Sequence, residues 1–234
     1  MALEIRKKLA RDDPENSNAQ NDLFVSFYNI GAIQLQQSKM KSALKTYEQA
    51  LKIIKKLSIK DPDNTILKRH LYCNYSRISR IYEQMNESFN AINYVTKGLE
   101  IAEKLQILDP DNSFYKLEIL EFKGIIARLS GDQQLTINKH EKALDFYNSA
   151  LQFSKKAYDA DKSNTDARYD VHVNYRKIGE AYAMLGKPQA ALDAWQKALS
   201  IVKGCFNENE PSLARKEFLL LNQLIHDLNK VTEP

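Results

Sequence analysis

The sequence is poor in chain breakers. Its 234 residues include only 7 glycines and 6 prolines, too few turn signals for many short strands, so long helices are favoured. Cysteine is scarcer still. Cys73 and Cys205 match neither a CxxC nor any metal-ligand spacing, and both are read as reduced and buried or half-buried, which suits a reducing cytosol. No hydrophobic run is long enough to cross a bilayer. The longest apolar cluster, Phe218 to Ile225, is broken by Asn222 and Gln223. Met1 to Lys8 lacks the apolar centre of a signal peptide. The histidines, His70, His140, His172 and His226, form no HExxH or comparable ligand pair, and P-loop, GxSxG and GxGxxG patterns are missing. No catalytic residue, metal ligand or cofactor is therefore assigned, the chain is not expected to be an enzyme, and the cytoplasm is its expected location. The charge imbalance is small too. A formal net charge of +4 permits an acidic partner without demanding one, and a dedicated DNA binder carries a denser basic stripe.

What is present is a folded-protein composition, 43% hydrophobic and 27% charged, arranged as a repeat. An Asp-Pro turn recurs as Asp13-Pro14-Glu15-Asn16, Asp61-Pro62-Asp63-Asn64 and Asp109-Pro110-Asp111-Asn112, in steps of 48 residues. A fourth copy, Asp161-Lys162-Ser163-Asn164, follows after 52 residues and lacks the proline. Ala43-Leu44, Ala91-Ile92, Ala143-Leu144 and Ala191-Leu192 recur in phase with it, at steps of 48, 52 and 48 residues. Ile30-Gly31, Ile78-Ser79 and Ile178-Gly179 lie twelve residues before their Ala pairs, whereas Ile126-Ala127 lies sixteen before its own. This spacing predicts a four-residue insertion between Ala127 and Ala143, read as a longer loop over 131–140.

Each repeat reads as two helices of about 20 residues, rods about 30 Å long. In the second helix of the first repeat, Ala43, Leu44, Tyr47, Ala50, Leu51, Ile54 and Leu57 form one stripe. Proline then ends the helix, and the following Asp or Asn caps the next one. Small residues have a packing reason. Gly31, Ser79, Ala127 and Gly179 are placed where paired helices cross, opposite Ala50, Gly98, Ala150 and Ala198. A large side chain in either column would cost about 1–3 kcal/mol in overpacking.

The sequence Phe27, Ile30, Gly31, Ala43, Tyr47, Ala50, repeated as Tyr175, Ile178, Gly179, Tyr182, Ala191, Trp195, Ala198, resembles the tetratricopeptide repeat. The unit is 48 residues rather than 34, and the third copy has Lys123 where an aromatic is expected. The resemblance implies an all-α fold: an α-solenoid of antiparallel helical hairpins, wound as a right-handed superhelix. It also implies a protein-binding function, and the long unit is similar to arrays in large bacterial multidomain proteins, where they adjoin signalling or effector domains.

The expected organisation is a single array over 1–234, with a half repeat at 1–14, repeats at 15–62, 63–110, 111–162 and 163–208, and a capping helix at 210–230. The half repeat rests on Ala2, Leu3, Leu9, Asp13 and Pro14, which match Ala50, Leu51, Leu57, Asp61 and Pro62. It suggests a fragment of a longer protein or an array that starts mid-hairpin. At the other end Pro211 follows a polar segment, and Leu213, Phe218, Leu221, Leu224, Ile225 and Leu228 mark a cap that covers the last hairpin.

The family's inner groove is lined by first helices, and the resemblance places three columns there: Tyr28, Ser76, Gly124 and Arg176; Asn29, Arg77, Ile125 and Lys177; Ala32, Arg80, Arg128 and Glu180. One turn earlier lie Asn21, Arg69, Leu117 and Tyr169. The candidate groove residues are Tyr28, Asn29, Arg69, Arg77, Arg80, Arg128, Tyr169, Arg176 and Lys177. Arginine's planar fork suits carboxylates, so a protein or peptide partner, acidic in its chemistry, is one reading. The other is arginines paired with Glu83, Glu121 and Glu180. Chaperone-tail binding is not expected, because Tyr28 and Ala32 occupy columns where family members that clamp such tails carry Lys or Asn. Two further functions are carried: a structural role with self-association through the N-terminal half repeat, and single-stranded nucleic-acid binding, which no motif supports. No membrane partner is expected.

Overall fold

The structure, a computed structural model, describes residues 2–203 and 213–232. Cys205, the polar segment 207–210 and Pro211 lie outside them, and Cys73 is half-buried. The described residues form ten helices and no strand. In chain order these are α1 (Ala2–Asp12), α2 (Ser17–Gln36), α3 (Met40–Lys60), α4 (Thr65–Gln84), α5 (Ser88–Leu108), α6 (Ser113–Thr136), α7 (His140–Ala160), α8 (Thr165–Met184), α9 (Pro188–Lys203) and α10 (Leu213–Thr232). The chain packs as two compact units, Met1–Tyr115 and Lys116–Pro234, with the boundary in the first turn of α6.

The Asp-Pro turns work as their chemistry requires. Asn16 Oδ1 accepts from the Ala19 amide at 3.0 Å, Asn64 Oδ1 from Ile66 and Leu67 at 3.1 and 3.2 Å, Asn112 Oδ1 from Phe114 at 3.1 Å, and Asn164 Oδ1 from Ala167 at 2.9 Å. Each asparagine thereby satisfies an amide that the helix start leaves without a partner. In the second and third copies the asparagine amide also donates to Asp61 or Asp109, both at 2.9 Å. Where the proline is lost, Ser163 holds the turn, its amide and hydroxyl donating to Asp161 Oδ1 at 2.9 and 2.6 Å.

Turns inside the hairpins follow another rule. Ser38, Asn86, Asn138 and Gly186, at one repeat position, all have left-handed backbones with φ of 59°, 59°, 56° and 66°. Each first helix ends with the residue after this one bonding back five residues, as in Lys39 N–H to Gln34 O at 2.8 Å and Lys187 N–H to Tyr182 O at 3.0 Å, the Schellman arrangement. Asn tolerates this conformation and Gly is unstrained in it, but Ser is not suited to it. Ser38→Gly is therefore expected to stabilise unit 1 by about 0.5–1 kcal/mol, seen as a higher urea midpoint at unchanged slope.

Packing follows from these ends. In unit 1, Leu23, Phe24 and Phe27 of α2 meet Ala43, Tyr47, Ala50, Ile54 and Leu57 of α3, and Tyr75, Ile78 and Ile81 of α4; each large apolar side chain so buried contributes about 1.5–3 kcal/mol. In unit 2, Tyr147, Leu151, Val171 and Ile178 form one centre. Trp195, Ala198 and Val202 form a second, against Leu221, Phe218, Leu224, Ile225 and Leu228 of α10. Helix α10 thus packs on α9.

The third hairpin corrects the sequence reading. A Cβ added to Gly31 would stand 2.8 Å from the Tyr47 ring, one on Gly131 2.5 Å from Tyr147, and one on Gly179 2.3 Å from Trp195. In each case the glycine precedes its aromatic by sixteen residues. Ser79 fills the same place in the second hairpin, where its hydroxyl donates to the Ala91 carbonyl at 2.8 Å. The residue equivalent to Gly31 is therefore Gly131, not Ala127, and the aromatic position is taken by Ala127, not Lys123. The insertion is not a loop at 131–140 either. Helix α6 continues to Thr136 and has 24 residues against 20 in α2, α4 and α8. The four extra residues are one more turn, placed ahead of Gly131. Close approach fixes the distance from crossing glycine to hairpin turn, so added length goes to the Asp-Pro end. Ala127 misleads because it lies one turn before Gly131, on the same face.

Candidate functional site

Because the third repeat shifts by four residues downstream of its insertion, Arg128 takes the column given to Gly124 and aligns with Tyr28, Ser76 and Arg176. Asp132 takes the column given to Arg128 and aligns with Ala32, Arg80 and Glu180. The nine candidate residues divide between the units.

In unit 1, Tyr28 on α2 is half-buried. Its ring is T-shaped to Tyr47 at 5.4 Å and tilted to Phe24 at 5.9 Å. These contacts leave its hydroxyl at the surface end, where it accepts a hydrogen bond from Arg77 Nε on α4 at 3.2 Å. Arg77 and Asn29 are exposed and Arg80 is half-buried. Arg69 lies apart from this pair, its guanidinium over the Phe114 ring at 4.3 Å.

In unit 2 the cations are engaged by carboxylates. Arg128 is 4% exposed and donates to Asp170, 6% exposed, at 3.0 Å. Arg176 pairs with Glu180 one turn on, and its Nε lies 3.0 Å from Glu217 of α10. Lys177 meets Asp132 at 2.8 Å. Asp132 also accepts from the Tyr147 hydroxyl at 2.7 Å, and burial, reinforced by this carboxylate, pushes that phenol above its ordinary range. Burial, then the nearby Glu217, likewise raises Tyr169 to about 12. Of the sequence-expected partners, Glu180 is found on Arg176, and Glu121 accepts a hydrogen bond from Asn164 at 2.7 Å. Asp132, Asp170, His172 and Glu217 were not singled out from sequence.

Glu217 joins α10 to α8. Its carboxylate faces His172 Nε2 at 3.3 Å, while His172 Nδ1 donates to the Ala198 carbonyl at 3.1 Å. Burial alone would raise this carboxyl. The hydrogen bond with His172 and the charges of Arg176, His172 and Lys177 outweigh it and hold the group below its ordinary 4.5. A depressed carboxyl stabilises the fold above its unfolded value and loses that contribution as pH falls through the folded one. Unit 2 is therefore expected to lose stability below pH 4.5. Glu217→Gln should lower the urea midpoint at pH 7 and flatten its acid limb; an unchanged pH profile would refute the link.

Among the described residues, no group of three or more His, Cys, Asp or Glu side chains is placed to hold a metal, and no helix is long and apolar enough to cross a membrane. The chemistry on offer is cations and aromatic rings on first-helix surfaces, which can hold another molecule.

Residues 25–57 match the tetratricopeptide repeat family model. This stretch runs from within α2 to within α3 and forms one tetratricopeptide-like hairpin of an all-helical repeat fold. Over most of its length it is similar to the crystal structure of BtubC (BKLC) from P. vanneervenii, at 16% identity, 98% of this chain, 86% of that one and a TM-score of 0.51. It is also similar to the apo form of RapI, at 16% identity, 97% of this chain and a TM-score of 0.55, but spans only 55% of the RapI chain. At such identity the likeness is one of fold. No curated protein sequence matches this chain. Tetratricopeptide folds commonly serve as protein–protein interaction modules and are typically non-catalytic.

Proposed function

We propose that this chain is a non-catalytic protein-docking module that holds its partner on the outward faces of its first helices, chiefly in unit 1. The observation that carries the reading is the Tyr28–Arg77 pair, an aromatic ring and an exposed guanidinium joined at 3.2 Å across two repeats. Tyr and Arg, with Trp, are the side chains that most often dominate interfaces, because each offers area and directed hydrogen bonds. Asn29 beside Tyr28 adds a polar contact, and a carboxylate on the partner suits the Arg77 fork. In unit 2, Arg128, Arg176 and Lys177 hold Asp170, Glu180, Glu217 and Asp132.

The test is capture from lysate with the parent chain, then titration of the identified, purified partner against Tyr28→Ala and Arg77→Glu chains of equal helicity. Each substitution is expected to weaken binding by roughly tenfold or more. Parent-like affinity in both would sink the reading. A second reading, self-association through α1, draws on its outer face. Ile5 and Leu9 are each 54% exposed, whereas Leu57, the repeat counterpart of Leu9, is 5% exposed. Light scattering over a concentration series decides it, since a constant monomer mass removes self-association.

A further inference from the structure

The most one-sided charge in the molecule lies outside the first helices. Helix α3 carries six lysines, Lys41, Lys45, Lys52, Lys55, Lys56 and Lys60, and a single acid, Glu48. Its counterparts are balanced: α5 has two basic and two acidic residues, and α7 has three lysines and three acids. Steps of four, seven, four and four residues put Lys41, Lys45, Lys52, Lys56 and Lys60 on one face, opposite the buried Tyr47, Ala50 and Ile54. Lys60 is used by Glu15 at 2.7 Å, and Lys55 lies over the Tyr75 ring at 5.6 Å. Lys41, Lys45, Lys52 and Lys56 have no ion-pair partner among the described residues. Like charges one turn apart repel by a few tenths of a kcal/mol per pair, so this face is poorer for stability than a mixed one.

A cleft of about 360 Å³ opens beside these lysines, lined by Lys52, Lys56 and Lys60, with Ile53 and Leu57 contributing apolar surface and Pro14 and Gln20 forming part of the opposite wall. We propose that this face of unit 1 is a second docking surface, taking an acidic segment of a partner protein that carries an apolar side chain among its carboxylates. The unpaired ammonium groups of Lys52 and Lys56 hold the carboxylates, and the cleft takes the apolar side chain. A cleft with apolar lining distinguishes this from a flat polyanion site. The proposal is independent of the Tyr28–Arg77 site, whose residues do not line this cleft.

The probe is a short fluorescein-labelled glutamate peptide with one central leucine, titrated by anisotropy beside its all-glutamate counterpart and beside vesicles containing phosphatidylserine. The leucine peptide is expected to bind, to weaken as salt is raised, and to bind more tightly than the all-glutamate peptide. A Lys52→Glu/Lys56→Glu chain of parent-like helicity is expected to bind it roughly tenfold or more weakly. Lys104→Glu on α5 should bind as the parent does, so the loss is specific to the α3 face. The proposal is overturned if the double variant binds like the parent, if the two peptides bind equally, or if the chain takes the vesicles and not the leucine peptide.

Discussion

Gly131→Ala and Gly179→Ala each destabilise the protein, while Gly124→Ala in the same helix as Gly131 stabilises it. All three replacements raise helix propensity by about 0.5–1 kcal/mol, so the differences come from packing. A Cβ on Gly124 would meet nothing closer than Phe153 Cβ at 3.5 Å, an ordinary contact. A Cβ on Gly131 or Gly179 would stand 2.5 or 2.3 Å from a buried ring of Tyr147 or Trp195. Neither ring swings away cheaply, because the Tyr147 hydroxyl is held by Asp132 and the Trp195 indole donates to the Arg176 carbonyl at 3.2 Å. Overpacking of about 1–3 kcal/mol exceeds the propensity gain, leaving a net loss of about 1–2 kcal/mol, and Gly179→Val should lose about 3 kcal/mol. Urea unfolding followed by far-ultraviolet circular dichroism reads all of these. Trp195, the single tryptophan, reports the Gly179 variants directly. A Gly131→Ala chain as stable as Gly124→Ala would overturn the register given to the third repeat.

That register shows where the sequence was legible. Helix boundaries were clear because Asp, Pro and Asn act through local backbone chemistry, and the structure places the expected asparagine caps at α2, α4, α6 and α8. The crossing column was legible for Gly31, Ser79 and Gly179. It failed at Ala127 because a helical turn returns a residue to the same face, so a small residue one turn away imitates the pattern. Only the ring it meets tells the two apart. The left-handed turn position was overlooked because Ser38, Asn86, Asn138 and Gly186 share a conformation and not a residue type. Among candidate site residues, periodicity placed the arginines on their helices but not their partners. Arg176–Glu180 is four residues apart and could be read; Arg128–Asp170 and Arg176–Glu217 join different hairpins or the cap.

Asp170→Ala is expected to destabilise the protein more than any of the glycine replacements, because it takes from the Arg128 guanidinium, on a side chain 5% exposed, its 3.0 Å carboxylate. Breaking one side of a buried ion pair costs about 3–5 kcal/mol, most of it the penalty of a buried charge whose counter-ion has gone. Replacing both members with apolar side chains of similar volume removes that penalty along with the attraction. An Arg128→Met/Asp170→Leu chain should therefore recover most of the loss, although Asp170→Ala alone does not. Urea midpoints of the parent, Arg128→Met, Asp170→Leu and the double variant form a closed cycle; a double variant no better than Asp170→Leu would mean that Asp170 stabilises unit 2 through something other than Arg128. The same pair bears on function. Charge reversal at Arg128 would set two carboxylates against each other in a buried site and unfold unit 2 before any partner was tested. A docking role on first-helix faces is tested at Tyr28 and Arg77, whose side chains reach the surface, whereas Arg128 belongs to the packing that holds α6 against α8.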